Sequence, residues 1–307
     1  MDTKQLMIWM DGKMVDAEHA TVPFMNSALH YGLGVFEGIR CYATDRGPAV
    51  FRLRDHMNRL VDSAHVLGMR TLPYTADEMM EATRAVVRAN GFGDCYIRPL
   101  IYHHNPALGL NLDSGEIRVG ICAWDMGMYL GEEALKKGIR ANVSSFTRHH
   151  PNVMMVKAKS TGNYTNSTLA KTESMRLGFD EAIMLDPQGY VAECTGENIF
   201  MVRKGVIYTP NLAAVLEGIT RDSLMTVARE MGYKVVEAPI ARDMLYIADE
   251  VFVCGTAAEV VAIREIDFRT IGSGEMGPIT ADIQKTFHEA IRGKHPCSAG
   301  WLDYVNC

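Results

Sequence analysis

The sequence predicts an α+β chain in two parts, and three observations carry that reading. Its 307 residues are 48% hydrophobic and 22% charged, ordinary for a globular protein and long enough for two domains. Two helical periodicities follow one another in the first half, while the second half is rich in short paired strands. The regular strand–helix alternation of a doubly wound sheet is missing. A chain of this length buries roughly three-quarters of its extended surface, so core volume sets no limit.

Residues 5–16 predict a hairpin: apolar Leu6 to Met10, an Asp11-Gly12 turn, then Met14 and Val15. Ser27 to Tyr42 (SALHYGLGVFEGIRCY) is dense in glycine and aromatics, with a strand expected in its second half. Leu53, Met57, Leu60, Val61, Ala64 and Leu67 follow helical spacing, which leaves Arg52, His56, Arg59 and Ser63 on another face. Thr75-Ala76-Asp77-Glu78 is a capping box opening a second helix to about Asn90. Asp94 to His104 reads as a strand with Tyr96, Arg98, Leu100 and Tyr102 on one face. Ile117 to Trp124 is another strand, and Gly127–Lys137 a connector.

The second half opens with a strand from Ile139 to Phe146. A strand with Lys157 and Lys159 on one face is expected next, then a helical run from the Gly162-Asn163-Tyr164 turn to Leu177. Glu181–Asp186 and Tyr190–Glu193 predict one hairpin, and Asn198–Arg203 with Val206–Tyr208 a second around Lys204-Gly205. Gly218-Ile219-Thr220-Arg221 starts a helix to about Met231. Val235–Ile240 and Glu250–Cys254 are strands on either side of a short helix. Cys254–Glu259 is a tight turn, and Ile279–Arg292 the last helix.

Several function classes fall away. The formal charge is -6 with no basic block, which argues against nucleic acid and against a polybasic membrane patch. The N-terminal MDTKQLMIWMDGKM carries Asp2 and Asp11 and lacks the apolar core of a signal peptide, and no stretch approaches the roughly 18 apolar residues of a membrane span. Seven scattered cysteines, never in a CxxC pair, read as reduced thiols in a cytoplasmic protein without a metal site. Adjacent His103-His104 and His149-His150 point opposite ways on a strand and make poor chelates. Gly272-Ser273-Gly274-Glu275-Met276-Gly277 matches GxGxxG, but Pro278 follows and no βαβ unit fits in the remaining chain, so a plain turn is expected. There is no serine nucleophile elbow and no HExxH.

What remains is the stretch Val156 to Phe200. It holds Lys157 and Lys159 before a Gly-Asn-Tyr turn, and Glu193 just before Gly196-Glu197-Asn198. A lysine able to form an imine, with an acid and a phenol beside it, is what pyridoxal phosphate chemistry requires. Spacing alone does not choose between the two lysines. Gly218-Ile219-Thr220 at a helix start offers free N–H groups and a hydroxyl as a phosphate cradle, with Arg59 as a further candidate.

These residues stand in motifs that closely resemble branched-chain-amino-acid aminotransferases, members of the fold-type IV class of pyridoxal-phosphate enzymes. The motifs are HYGLGVFEGIRCY, FRLRDHMNRL, YIRPLIY, AKSTGNY, GYVAECTGENIF, EGITRDS, LYIADEVFVCGTAAE and GPIT, and the resemblance runs from the first hairpin to WLDYV (Trp301 to Val305). It implies a two-domain fold like that of D-amino-acid aminotransferase. Residues 1–126 would be a small N-terminal α/β domain, 127–137 the interdomain connector, and 138–307 a larger mixed-sheet pseudobarrel domain carrying the cofactor lysine.

The resemblance also implies roles. Lys159 would be the imine lysine, Glu193 the partner of the pyridine nitrogen and Tyr164 the phenol beside O3′. Arg59 would hold the phosphate with Ile219, Thr220 and Thr256, and Gly196 belongs to the same cofactor-binding set. Tyr31, Phe36, Tyr164 and Ala258 correspond to an apolar substrate pocket. Tyr96, with the backbone of Thr256-Ala257-Ala258, would hold the α-carboxylate, and Arg98 the side-chain carboxylate of glutamate. The family places a loop of a neighbouring subunit, here Leu108 to Leu110, over the pocket, which implies at least a homodimer. The implied activity is interconversion of L-leucine, L-isoleucine and L-valine with their 2-oxo acids, 2-oxoglutarate and L-glutamate being the partner pair. Lys159 would serve as covalent anchor and proton carrier in ping-pong kinetics. A D-amino-acid or (R)-selective amine transaminase is the alternative on the same fold. One departure stands out: where such sequences carry tryptophan three residues before Tyr-Leu-Gly, this one has Met126, with Trp124 two residues back.

Overall fold

In the computed structural model, residues 6–127 and 131–306 are described, apart from the side chain of Glu132. Gln5 of the expected hairpin and residues 128–130 of the expected connector lie outside them. Asp11 and Gly12 both have positive φ (46° and 89°), the conformation a two-residue turn needs between twisted strands. They join β1 (Met7–Met10) to β2 (Lys13–Asp16). The Asp11 carboxylate accepts from Val119 N at 2.9 Å and Arg118 Nε at 2.6 Å, tying the turn to β7 (Glu116–Trp124).

The first sheet also contains β3 (Gly34–Phe36), β4 (Ile39–Thr44), β5 (Gly47–Phe51) and β6 (Cys95–His104). Its last member, β17 (Leu302–Tyr304), comes from the far end of the chain and pairs with β5. A division of the chain at 138 therefore assigns this strand to one half and its hydrogen bonds to the other. The order is β17-β5-β4-β6-β7-β1-β2, with β3 also on β6.

Two helices, α2 (Leu53–Val66) and α3 (Ala76–Asn90), close one side of this sheet. The expected capping box is formed: Thr75 Oγ1 accepts from Glu78 N and Glu78 Oε2 accepts from Thr75 N. Leu53, Met57 and Leu60 of α2 pack with Ile97 and Ile101 of β6, all fully buried. Strand β6 buries Cys95, Ile97, Pro99, Ile101 and His103 on one face; on the other, Trp124 covers Tyr96 while Arg98, Leu100 and His104 stay half-buried.

The second sheet runs β10-β9-β8-β15-β14-β11-β12-β13. Its members are β8 (Ile139–Val143), β9 (Glu181–Leu185), β10 (Val191–Cys194), β11 (Asn198–Arg203), β12 (Val206–Thr209), β13 (Lys234–Glu237), β14 (Glu250–Gly255) and β15 (Glu259–Ile266), with the short β16 (Arg269–Thr270) on β15. Pairings β8–β9, β8–β15 and β12–β13 are parallel and the rest antiparallel. Strand β15 lies in the interior of the sheet, yet local pattern does not announce it. Val260 to Ile263 are all buried and read as one apolar run without alternation.

Helices α5 (Tyr164–Arg176), α6 (Ile219–Glu230), α7 (Arg242–Tyr246) and α8 (Pro278–Ile291) belong to this half, and α4 (Gly131–Lys137) forms part of the connector. The short α1 (Ser27–Tyr31) precedes β3.

Two sequence expectations are decided by hydrogen bonds. The segment around Lys157 and Lys159 is not a strand but a series of turns, with one isolated bridge from Ser160 to Val35. Buried Val156, Ala158 and Ser160 alternate as in a strand, but Lys159 N donates to Ser63 Oγ and Thr161 N to Gly34 O, both from the first half of the chain. The Gly272–Gly277 stretch is a turn, and the start of α8 is already satisfied. Ile279 N and Thr280 N donate to the Glu250 carboxylate at 3.0 and 2.7 Å, and a Cβ on Gly277 would lie 2.1 Å from Glu250 Cδ. No phosphate can share those N–H groups with a carboxylate.

Candidate active site

A cleft is lined from α2, the turns around Lys159, β10, the 195–198 turn, the start of α6 and the end of β14. Lys159 Nζ stands inside it, donating to the Tyr164 hydroxyl at 2.6 Å, with the Phe36 ring 5.0 Å away. Lys157 is committed elsewhere. Its Nζ donates to the carbonyl of Leu212 and pairs with Glu217 at 2.9 Å. Geometry thus separates two lysines that spacing left equivalent.

The acid is Glu193, paired with Arg148 at 2.9 Å and accepting from Leu216 N at 3.3 Å and Asn198 Nδ2 at 3.4 Å. Burial pushes its carboxyl up from the ordinary value, and the Arg148 charge is the main opposing influence. Its neighbour Glu197 is a different kind of group: burial, reinforced by the Glu181 charge, pushes that carboxyl up to about 8. Gly196 lies between them and donates its N–H to Glu197 at 3.0 Å.

At the other end of the cleft stands Arg59. Its Nε and Nη2 donate to the two oxygens of Glu37 at 2.6 and 2.8 Å, and Nη1 donates to Glu217 O at 2.6 Å. His56 Nδ1 meets the same carboxylate at 2.6 Å. Glu37 is completely buried, which alone would raise its carboxyl. The Arg59 charge and the hydrogen bonds from Arg59 and His56 together outweigh burial and hold it far below the usual carboxylate range. For His56 the balance is reversed: burial pushes the imidazole down despite Glu37.

Beside Arg59, one residue past Glu217, is the start of α6. Its N-cap is Gly218, which has no side chain to satisfy the first-turn N–H groups of Ile219 and Thr220. A Cβ there would lie 1.9 Å from Asn198 Oδ1, so only glycine lets the helix start so close to the Glu193 support. Thr220 and Thr256 also line the cleft.

This donor set fits pyridoxal 5′-phosphate. An uncapped helix start and a guanidinium suit a phosphate, a paired carboxylate suits a protonated ring nitrogen, and the lysine and phenol suit the aldehyde and its neighbouring oxygen.

Substrate-side candidates fall into two groups. Phe36 packs edge-on against Tyr164 at 4.8 Å, and the Arg98 guanidinium stacks over Phe36 at 4.6 Å. Arg98 Nη2 donates to the Tyr96 hydroxyl at 3.3 Å, while its Nε is buried with no partner among the described residues. That hydroxyl stands over Gly38, where a Cβ would come within 2.0 Å of it. Trp124 packs on Tyr96 at 5.0 Å, so the displaced tryptophan still builds a wall beside Arg98. Met126, Ala257 and Ala258 instead line a neighbouring cleft. There Arg40 holds the carbonyls of Thr256 and Ala257 at 3.1 and 2.9 Å and pins the turn.

Tyr31 and Leu110 are not brought to this wall. Tyr31 is 43% exposed and donates its hydroxyl to Leu108 O at 2.9 Å, and Leu110 is 78% exposed in the same loop. Tyr31 therefore goes with the Leu108–Leu110 loop rather than with Phe36 and Tyr164.

Sequence reasoning did not single out Glu37, Arg148 or Asn198 as parts of the site. The first had a usable signal: His56, Arg59 and Ser63 share one face of α2, and a polar face on a buried helix needs a partner. Nothing local marks Arg148.

Comparisons with known proteins identify the chain's relatives. The family model for amino-transferase class IV matches residues 34–266. The chain is 51% identical over 299 residues to the branched-chain-amino-acid aminotransferase of Pseudomonas aeruginosa, covering 97% of each protein. It is 46% identical to the enzyme of that name from Escherichia coli K12, over the full length of both. The crystal structure of an E. coli branched-chain amino acid aminotransferase superposes with a TM-score of 0.96 at 46% identity, covering 99% of this chain and 100% of that one. The T.th. branched-chain amino acid aminotransferase with pyridoxamine 5′-phosphate gives 0.95 at 49% identity, and its complex with N-(5′-phosphopyridoxyl)-L-glutamate 0.94 at 47%, each covering 99% of both chains.

Proposed function

The chain belongs to amino-transferase class IV, and from that premise we propose that it transfers the amino group of L-leucine, L-isoleucine or L-valine to 2-oxoglutarate, reversibly, with pyridoxal 5′-phosphate as cofactor. One observation carries the reading. Lys159 Nζ and the Tyr164 hydroxyl, 2.6 Å apart, share a cleft with an arginine-paired carboxylate and an uncapped helix start.

Bound pyridoxal phosphate supplies an electron sink for the electrons of the substrate Cα–H bond. The residues do the rest. Arg59 and the N–H groups of Ile219, Thr220 and Thr256 would hold the phosphate. Glu193, kept ionised by Arg148, would keep the ring nitrogen protonated, and Gly196 gives the ring room. Lys159 anchors the cofactor when no substrate is present. Its free Nζ would be the base that takes the substrate Cα proton and the acid that gives it back. The Tyr164 hydroxyl holds Nζ in place for both transfers. Tyr96, with the N–H groups of the Arg40-pinned turn Thr256-Ala257-Ala258, would take the α-carboxylate, and the unpartnered Arg98 Nε suits the second carboxylate of glutamate. Phe36 and Tyr164 would accommodate a branched apolar side chain.

We further infer a homodimer or a higher assembly of dimers. Exposed Tyr31 and Leu110, joined through Leu108, would then complete the pocket of a second copy. Residues 1–126 and 138–307 are read as the two domains, with the C-terminal strand returned to the first. A cytoplasmic location accords with the free thiols of the described cysteines, and no described helix is long and apolar enough to cross a membrane.

The decisive experiment is a panel of L- and D-amino acids and (R)-amines as donors, against 2-oxoglutarate and pyruvate. L-leucine, L-isoleucine and L-valine with 2-oxoglutarate are expected to be fastest. Faster turnover of D-alanine or of an (R)-amine would overturn the substrate assignment and favour the alternative on this fold.

A further inference from the structure

We propose that Glu37 is a positioning residue for the cofactor phosphate, acting through Arg59. The inference rests on the cofactor reading above and extends it to a side chain that touches neither cofactor nor substrate.

The geometry is that of a fixed fork. Glu37 is fully buried and takes both Nε and Nη2 of Arg59, a bidentate arrangement that sets the guanidinium plane as well as its place. Nη1 is turned onto Glu217 O. The remaining N–H donors are on the terminal nitrogens, and Arg59 lines the cleft. His56 Nδ1 and Gly38 N reach the same carboxylate, so Glu37 cannot swing with the arginine.

The backbone gives the arrangement its purpose. Phe36 N donates to Lys159 O and Glu37 N to Pro99 O, both at 3.0 Å. Two successive residues of one short segment thus fix the lysine that meets the aldehyde end and the arginine that meets the phosphate end. Ser63, on the helix that carries His56 and Arg59, accepts from Lys159 N at 3.0 Å. The span between the two ends of the cofactor is preset before it arrives.

Electrostatics alone argues the other way. An ionised carboxylate beside a phosphate site repels the ligand and neutralises the arginine meant for it. Replacing Glu37 with a neutral side chain would tighten phosphate binding if charge dominated, and loosen it if orientation dominates. The buried bidentate geometry favours orientation.

The test is Glu37→Gln, which keeps the shape and removes the charge and one acceptor. Apoprotein of wild type and variant is titrated with pyridoxal 5′-phosphate and, separately, with pyridoxal, which lacks the phosphate. The expected result is an affinity for pyridoxal 5′-phosphate lower by roughly tenfold or more, with the affinity for pyridoxal changed by less than about twofold. An equal loss for both ligands would mean a structural role only, and tighter binding of pyridoxal 5′-phosphate would mean that charge wins. Either overturns the proposal. If Glu37→Gln does not fold, Glu37→Asp decides: its carboxylate is retracted, the fork is broken, and the phosphate-selective loss should persist. Wild-type protein that binds pyridoxal as tightly as its phosphate would instead refute the cofactor reading.

Discussion

Replacing Arg148 with methionine probes how the Glu193 carboxylate is kept charged inside the protein. Both side chains are 8% exposed and lie 2.9 Å apart. Removing one member of such a pair costs about 3–5 kcal/mol, because the other is left buried without its counter-charge. The remaining support for Glu193 is two long hydrogen bonds, from Leu216 N and Asn198 Nδ2, and the weaker pull of the Lys159 and Lys157 charges. The Arg148 bonds to Ser167 and Asn166, at 3.3 and 3.4 Å, add little to the loss. A destabilisation of about 3 kcal/mol is expected near neutral pH in the apoprotein.

The pH dependence makes the prediction specific. Burial already holds the Glu193 carboxyl above its ordinary value, and Arg148 is the chief influence against that rise. Its loss pushes the carboxyl higher still. A group whose folded pKa is raised binds more protons in the native state, so its contribution to stability falls as pH rises through that value. Below the ordinary carboxylate range it is protonated in both states, and the penalty disappears. The stability gap between wild type and Arg148→Met, measured by urea unfolding of apoprotein, should therefore be widest near about pH 8 and narrow toward about pH 5. A gap that is constant with pH, or wider in acid, would refute the account of Glu193.

Other outcomes can be checked by standard means. Tyr164→Phe removes the hydroxyl that accepts from Lys159 Nζ at 2.6 Å. Its kcat with L-leucine and 2-oxoglutarate should fall by about tenfold to a hundredfold, while thermal unfolding shifts little. Gly218→Ala forces a Cβ to within 1.9 Å of Asn198 Oδ1. It should cost about 1–3 kcal/mol by calorimetry and weaken cofactor binding in titration, since the phosphate cradle must move. Glu250→Ala strips the acceptor from Ile279 N and Thr280 N. It should cost about 1–2 kcal/mol and leave cofactor affinity unchanged, as expected of a helix cap remote from the cleft.

Much of this architecture was legible in the sequence because the signals are local. The Asp11-Gly12 turn, the Thr75–Glu78 box and the apolar face of α2 each depend on neighbours within a few residues. Strand β15 was not legible, because burial on both faces erases alternation. The Lys159 segment gave a false strand for the opposite reason: its alternation is real, but its backbone partners, Ser63 and Gly34, come from the other half of the chain. The same holds within the site. Glu193 and Tyr164 lie in one continuous stretch with Lys159, whereas Glu37 and Arg148 act through pairings that only the fold creates.

Those two pairings explain how one cleft can hold two buried carboxylates for opposite ends of one task. Glu37 accepts from Arg59 and His56 at once, and the Arg59 charge together with those hydrogen bonds drives it fully into the ionised form. Its charge is spent inside the protein, where it orients a guanidinium. Glu193 is paired with Arg148, with smaller help from the Lys159 and Lys157 charges, and burial still holds its carboxyl up. An acid in that state gains from a second positive partner, and a protonated ring nitrogen would be one. The balance between burial and bonded partners around each carboxylate therefore divides their work. The acid whose partners outweigh burial fixes geometry, and the one on which burial still prevails is left to meet the cofactor.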